Sequence, residues 1–270
     1  MIEMKSLNMY LGSVIDNDDV HFESLLDDDD IFLDPMNDKK QVEGWIRDNY
    51  IIYGKLTISD DFVVDCGDTV KVKNKTITSL TNGLVSWGKV NRSFSCSNCD
   101  KLTSLEGAPK EVVRGFYCNG CDNIKSLQGA PKKVGGDFWC DHCDKLETLE
   151  GAPEKIGGDF VCSCCDNIKS LQGAPKKIKS GFSCSDCKNL KSLEGAPKEV
   201  GRDFDCCYCN GLIDLKGAPE KVGGDFVCSG CENLKSLEGA PEKVGNEIFC
   251  ANCNNLKITD SDRKKYRIYN

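Results

Sequence analysis

Along residues 91–258, apolar side chains return in one fixed order with polar residues filling the gaps between them. In the copy that begins at Val112, the apolar positions are Val112, Phe116, Cys118, Cys121, Ile124, Leu127 and Ala130. Phe116 and Cys118 stand two apart, the period of a short strand with both side chains on one face. The spacing widens to three at Cys121, Ile124 and Leu127, which predicts a corner. A Gly-Ala-Pro triplet then supplies the next turn, proline fixing its own backbone and glycine relaxing it. The whole string recurs every 22 residues: first cysteines at Cys96, Cys118, Cys140, Cys162, Cys184, Cys206, Cys228 and Cys250, second ones at Cys99, Cys121, Cys143, Cys165, Cys187, Cys209, Cys231 and Cys253. Gly107, Gly129, Gly151, Gly173, Gly195, Gly217 and Gly239 open triplets in the same phase. One unit cannot bury its apolar face alone, but stacked units can. The pattern predicts a repeat solenoid of eight coils over 91–258, with one short parallel strand per coil forming a continuous parallel sheet.

The flanks predict caps. Residues 54–90 alternate apolar and polar positions, giving short strands around Leu56–Ile58, Phe62–Val64 and Val70–Val72. Ile77 and Leu80 imitate the corner of a degenerate first coil, and Trp87 is placed to cover the end of the core. Within residues 1–53, Val42, Trp45, Ile46 and Asn49 fall at helical spacing. They predict a short amphipathic helix near 38–50 with Asp38 as its N-cap. The acidic stretch at 14–38, with "FESLLDDDDIFLDP", reads as a solvated tail rather than a partner-binding motif. Residues 259–270 are expected to close the array with a short strand or turn.

Composition narrows the function. The net charge of −8 and pI near 5.0 argue against nonspecific binding to nucleic acid or an anionic membrane. No apolar run approaches the roughly 20 residues of a spanning helix. The first residues lack the apolar core of a signal peptide, so a cytoplasmic protein is expected. The 19 cysteines are an odd number in what is then a reducing compartment, so they read as thiols or metal thiolates rather than disulfides.

Two readings of the cysteine columns compete. Adjacent copies match C-x2-C-x18-C-x2-C, a spacing used by zinc ribbons. Yet a zinc ribbon needs no Phe, Leu and Gly-Ala-Pro at fixed phase. Stacked strands also hold equivalent side chains parallel at about 4.8 Å, whereas sulfurs at about 2.3 Å from zinc must converge. A buried thiol ladder, with cysteine acting as a small hydrophobe, is therefore the preferred reading and a zinc site the alternative. Cys164 and Cys207 fall outside both columns. They are expected on the outer side of the strands, too far apart for a mutual disulfide and the most reactive of the thiols.

The segment Val113-x-x-Phe116-x-Cys118-x-x-Cys121-x-x-Ile124 resembles the leucine-rich-repeat string L-x-x-L-x-L-x-x-C-x-x-L, with Phe and Cys replacing leucines. The first slot departs from that pattern, being Gly at Gly135 and Gly157 with the apolar residue one place earlier. The wording SLEGAPKEVGGDFxCxxC further resembles repeat proteins of large tailed bacteriophages and some bacteria, over residues 54–258. The resemblance implies a repeat fold and partner binding, and it brings no catalytic residue. A viral protein of that kind would act in the host cytoplasm or travel in the virion.

With Phe and the first Cys inward, the residue between them points outward. That column includes Tyr117, Trp139, Val161, Val227 and Phe249, and two residues before it runs an acidic row with Asp137, Asp159, Asp203 and Asp225. His142 and Tyr208 stand out just after the first cysteine. Exposed aromatics beside charges suit an interface, so the expected function is a non-enzymatic protein-binding scaffold acting through its sheet face. No nucleophile, base and orienting group come together as catalysis requires. A metal-binding or redox protein built on the cysteine columns is the alternative. A weaker one is an acidic mimic that binds a basic partner in a salt-sensitive way.

Overall fold

The computed structural model describes residues 39–270, apart from 82 and 84. The acidic stretch and the Asp38 N-cap lie outside the described residues. Within them the chain is a β-solenoid with little helix. Phe-containing strands stack in register, Phe94 on Phe116, Phe138, Phe160, Phe182, Phe204 and Phe226. With the flanking strands they make one eleven-stranded sheet, as the repeat predicts.

The coil also holds a second strand that the pattern does not announce. Glu111–Val112, Lys133–Val134 and Lys155–Ile156 pair in parallel, and so do Lys177–Ile178, Glu199–Val200, Lys221–Val222 and Lys243–Val244. One strand per coil is thus corrected to two. A two-residue strand is too short for alternation to show, and only the buried Val or Ile marks it. This second ladder divides into a six-stranded and a four-stranded sheet between Ile156 and Ile178. The division falls where Lys179 and Ser180 replace the usual Gly-Gly. A Cβ on Gly157 would lie 2.0 Å from the Gly135 carbonyl oxygen, and one on Gly201 2.0 Å from that of Lys179. Although Val113, at the same position of an earlier coil, keeps its N–H on the Val90 carbonyl at 2.9 Å, Lys179 carries such a Cβ and marks the coil where the ladder parts. The bonds corresponding to Gly157 N–H to Val134 O (3.0 Å) and Gly201 N–H to Ile178 O (3.0 Å) are missing there.

The core is a stack of rings. From Phe94 to Phe226, successive phenyl centroids are 5.2–5.6 Å apart and within 11° of parallel. Each ring is essentially fully buried, contributing about 2–3 kcal/mol against exposure. The corner leucines, both cysteine columns and the Val or Ile of the second strand fill the remaining interior.

Both ends are capped. The first helix, α1 (Lys39–Asn49), buries Val42 and Ile46. The strand after it, β1 (Tyr50–Ile52), joins the long sheet antiparallel to Val70–Val72. Residues 39–53 therefore belong to the cap, and the boundary expected at 53/54 is not a structural one. Trp87 does cover the core, edge-on to Tyr50 at 5.1 Å and to Phe94 at 5.8 Å. The Tyr50 hydroxyl donates to the Leu80 carbonyl at 2.7 Å. At the other end a short helix, α2 (Asp260–Lys265), starts from a capping box between Thr259 and Asp262. Strand Ile268–Tyr269 then pairs with Ile248–Phe249. The expected closing strand is thus preceded by a helix, and Thr-x-x-Asp is the signal that announces one.

Each Gly-Ala-Pro is a four-residue turn, as in Ala196 N–H to Leu193 O at 3.0 Å. Its glycine sits at positive φ, +90° at Gly195, as the third position of a type II turn demands. A Cβ there would also lie 2.5–2.6 Å from the backbone of Gln172 in the coil before. Gly195→Ala is therefore expected to destabilise by about 2–4 kcal/mol, from left-handed strain plus overpacking. Gly44, in α1 with nothing within 4 Å of its would-be Cβ, gives the opposite sign. Gly44→Ala should stabilise by about 0.5–1 kcal/mol. Urea midpoints of the two variants against the parent check both.

Candidate interaction face and thiol ladder

The outward column of the long sheet carries a short aromatic ridge. Trp139 stands edge-on to Tyr117 with ring centroids 5.3 Å apart at 72°, and Trp139 is 41% exposed. Val161, half-buried, continues the ridge on the next strand. The ridge exists because parallel in-register pairing puts equivalent residues of neighbouring coils side by side. Val227 lies further along, and Phe249 meets Tyr269 of the terminal strand at 5.5 Å.

The acidic row runs beside that column, and its carboxylates are engaged with backbone. Asp137 accepts from the Asp159 N–H at 2.9 Å, Asp159 from Gly181 at 2.7 Å, Asp203 from Asp225 at 2.8 Å and Asp225 from Glu247 at 3.1 Å. Each carboxylate thus binds the next coil. At Gly181 the row lacks a side chain and the adjacent Ser183 is small. A 220 Å³ notch opens there, bordered by Asp159, Val161, Asp203 and Asp205 and, as its one cation, Arg202.

His142 and Tyr208 do not belong to the strand face. They sit at φ +54° and +57° in the turn where the chain leaves the ladder, a column shared by Asn98, Gly120, Cys164, Asp186, Gly230 and Asn252. Side chains there splay away from the coil. Tyr208 is 58% exposed, and His142 Nδ1 pairs with Asp141 Oδ2 at 2.8 Å.

The same turn accounts for the second cysteine column. Once the chain bends away, the carbonyl of each first-column cysteine meets no backbone N–H, and a thiol takes that place. Cys121 donates to Cys96 O at 3.1 Å, Cys143 to Cys118 O at 3.4 Å, Cys165 to Cys140 O and Cys187 to Cys162 O at 3.3 Å. Cys209 to Cys184 O, Cys231 to Cys206 O and Cys253 to Cys228 O repeat the bond at 3.1–3.2 Å. All nineteen cysteines are unpaired thiols. Among the described residues no group of three or more His, Cys, Asp or Glu is arranged to hold a metal ion. No described helix is long and apolar enough to cross a membrane.

Cys164 and Cys207 are half-exposed but not equivalent. Cys164 occupies the left-handed turn position, whereas Cys207 precedes it, its N–H bonded to Asp205 Oδ1 at 2.9 Å. Both thiols are raised from their ordinary range. Burial, then the charge of Asp186, raises the Cys164 thiol; burial and Asp205 push Cys207 up to about 12.

The fold defines the class of protein, a capped parallel β-solenoid with a thiol-lined core. Comparison with protein-family models, curated proteins and solved structures finds no match to this chain.

Burial raises the thiols of the ladder, among them Cys118, Cys140 and Cys162, well above their ordinary range. The unfolded chain ionises its thiols near pH 8.5–9 while the folded one keeps them protonated, so above that range the unfolded state binds fewer protons. Stability is therefore full at neutral pH and falls as pH rises, by about 1.4 kcal/mol per pH unit for each such thiol. The urea midpoint is expected to stay level from about pH 6 to 8 and to collapse between about pH 8.5 and 10.5. A shallow decline over that range would mean that the columns ionise within the fold.

Proposed function

We propose that this protein is a non-enzymatic binding scaffold that engages another protein through the outer face of its long sheet, as leucine-rich-repeat proteins do. The observation that carries the reading is the Tyr117–Trp139 pair: a large aromatic side chain, two-fifths exposed, held on a rigid ladder beside a second ring. Isolated exposed apolar residues are ordinary, but aromatic clusters rimmed by polar groups are where binding energy concentrates. The Gly181 notch and its aspartates add a place for a basic group. The partner that suits the face presents an apolar anchor and, two coils along, a lysine or arginine.

The acidic-mimic reading gains less support, because Asp137, Asp159, Asp203 and Asp225 already bind backbone N–H groups of neighbouring coils. The metal or redox reading is weakened in the same way by the thiol-to-carbonyl bonds.

A photo-crosslinking residue placed at position 139 tests the proposal, with position 191 as control. Lys191 is exposed on a corner two coils further along the stack, away from the sheet face. A discrete adduct is expected from 139 in the native cell and none of that size from 191. Trp139→Ala should then weaken binding of the adduct protein by tenfold or more, about 2 kcal/mol, with the fold intact by circular dichroism. The same adducts from both positions would count against the sheet face.

A further inference from the structure

Away from the Trp139 face, the second ladder carries a groove of its own. A 680 Å³ cavity crosses four coils, with Val112, Val134 and Ile156 in its floor and Lys133, Lys155, Lys177 and Lys179 around it. A further 460 Å³ continues it from Lys177 and Lys179 to the last coil of the ladder. The repeat itself places the lysine column. The residue before each buried Val or Ile points outward, and parallel register sets it beside its equivalent in the next coil.

Charges in that column cancel on either side of the cavity. Lys89 pairs with Glu111 at 3.3 Å, and Glu199 holds both Lys177 and Lys221, the latter at 3.7 Å. In between, the signs do not alternate. Lys133 lies in register with Lys155, and the next residue of the column is Lys177. Like charges directly opposite on paired strands repel. Among the described residues neither Lys133 nor Lys155 has an ion pair, and Lys179 adds a third unpaired ammonium group to the cavity. Of the two carboxylates lining it, Glu111 is tied to Lys89 and Glu154 stands unpaired. The cavity also spans the coil at which the ladder parts, where the Lys179 N–H lacks the carbonyl partner that Gly157 and Gly201 have.

We infer that this groove is a second binding site, one that takes an extended acidic segment of a partner protein. Carboxylates of that segment relieve the Lys133–Lys155 repulsion and reach Lys179. Its alternate, apolar side chains lie on the valine floor beside Val113, which is 40% exposed. Four coils at about 4.8 Å span roughly 14 Å, the length of about four extended residues. The continuation is the weaker half, because Lys177, Glu199 and Lys221 satisfy one another there. A nucleic-acid strand suits the groove less, since no aromatic ring lines it for a base to stack on.

A labelled peptide alternating glutamate and valine, about eight residues long, is titrated with the full-length chain and followed by fluorescence anisotropy. Saturable binding is expected, weakening at least about fivefold between about 0.05 and 0.3 M salt. Lys133→Gln with Lys155→Gln should weaken it at least about tenfold. Lys191→Gln with Lys235→Gln, an equal charge change at exposed corner positions, should alter it less than about twofold. Glu154→Gln should tighten binding, a gain that misfolding cannot imitate. No saturable binding, equal losses from the two lysine pairs, no gain from Glu154→Gln, or tighter binding of a single-stranded oligonucleotide of equal charge would each overturn the inference.

Discussion

The distance between coils governs this structure. Backbone hydrogen bonds set it near the strand spacing of about 4.8 Å, and every column of side chains must fit within it. Flat phenyl rings fit by stacking in parallel, which is why one aromatic column runs through the core from Phe94 to Phe226. Where backbone itself approaches backbone, no Cβ fits. Glycine then holds the position, as at Gly157 against the Gly135 carbonyl and at Gly195 against Gln172. At Lys179 the second ladder parts while the Phe ladder runs on unbroken.

Cysteine answers the same constraint at the turn. The left-handed residue after each strand carries the backbone off the ladder and leaves a buried carbonyl without an N–H donor. An orphaned acceptor of that kind costs on the order of 1–3 kcal/mol. Alanine would fit the space but give no donor, and a longer polar side chain would not fit. A thiol is small, apolar enough to be buried and able to donate weakly. The second cysteine column thus answers the hydrogen-bond accounting along the stack. The same chemistry has a boundary effect, since the last thiol of a one-dimensional ladder cannot be covered as the others are.

The 22-residue period, the inward columns, the caps at Trp87 and Leu56–Ile58 and the Tyr117–Trp139 ridge were legible in the sequence, because each depends on one residue type recurring at one phase. Two features were not. The second strand is two residues long and shows no alternation. The turn column looked like exposed strand, because φ is not written in a residue such as His142 or Tyr208, and its mixture of Asn, Gly, Asp, His, Tyr and Cys had to be read as left-handed tolerance.

Regular stacking also shapes how such a face can recognise anything. Side chains in one outward column are held at nearly fixed intervals by a backbone that cannot flex locally without breaking several inter-coil bonds. A partner therefore meets a preorganised row, and little conformational entropy is lost on the solenoid's side when it binds. Specificity must come from which residue occupies each place: aromatic at Tyr117 and Trp139, aliphatic at Val161, then an opening at Gly181 where the acidic row is interrupted. Because Asp159 and Asp203 each spend one oxygen on a backbone N–H, they flank that opening in fixed orientations rather than as mobile charges. Order along the stack, more than the strength of any one contact, is what this surface can use to tell partners apart.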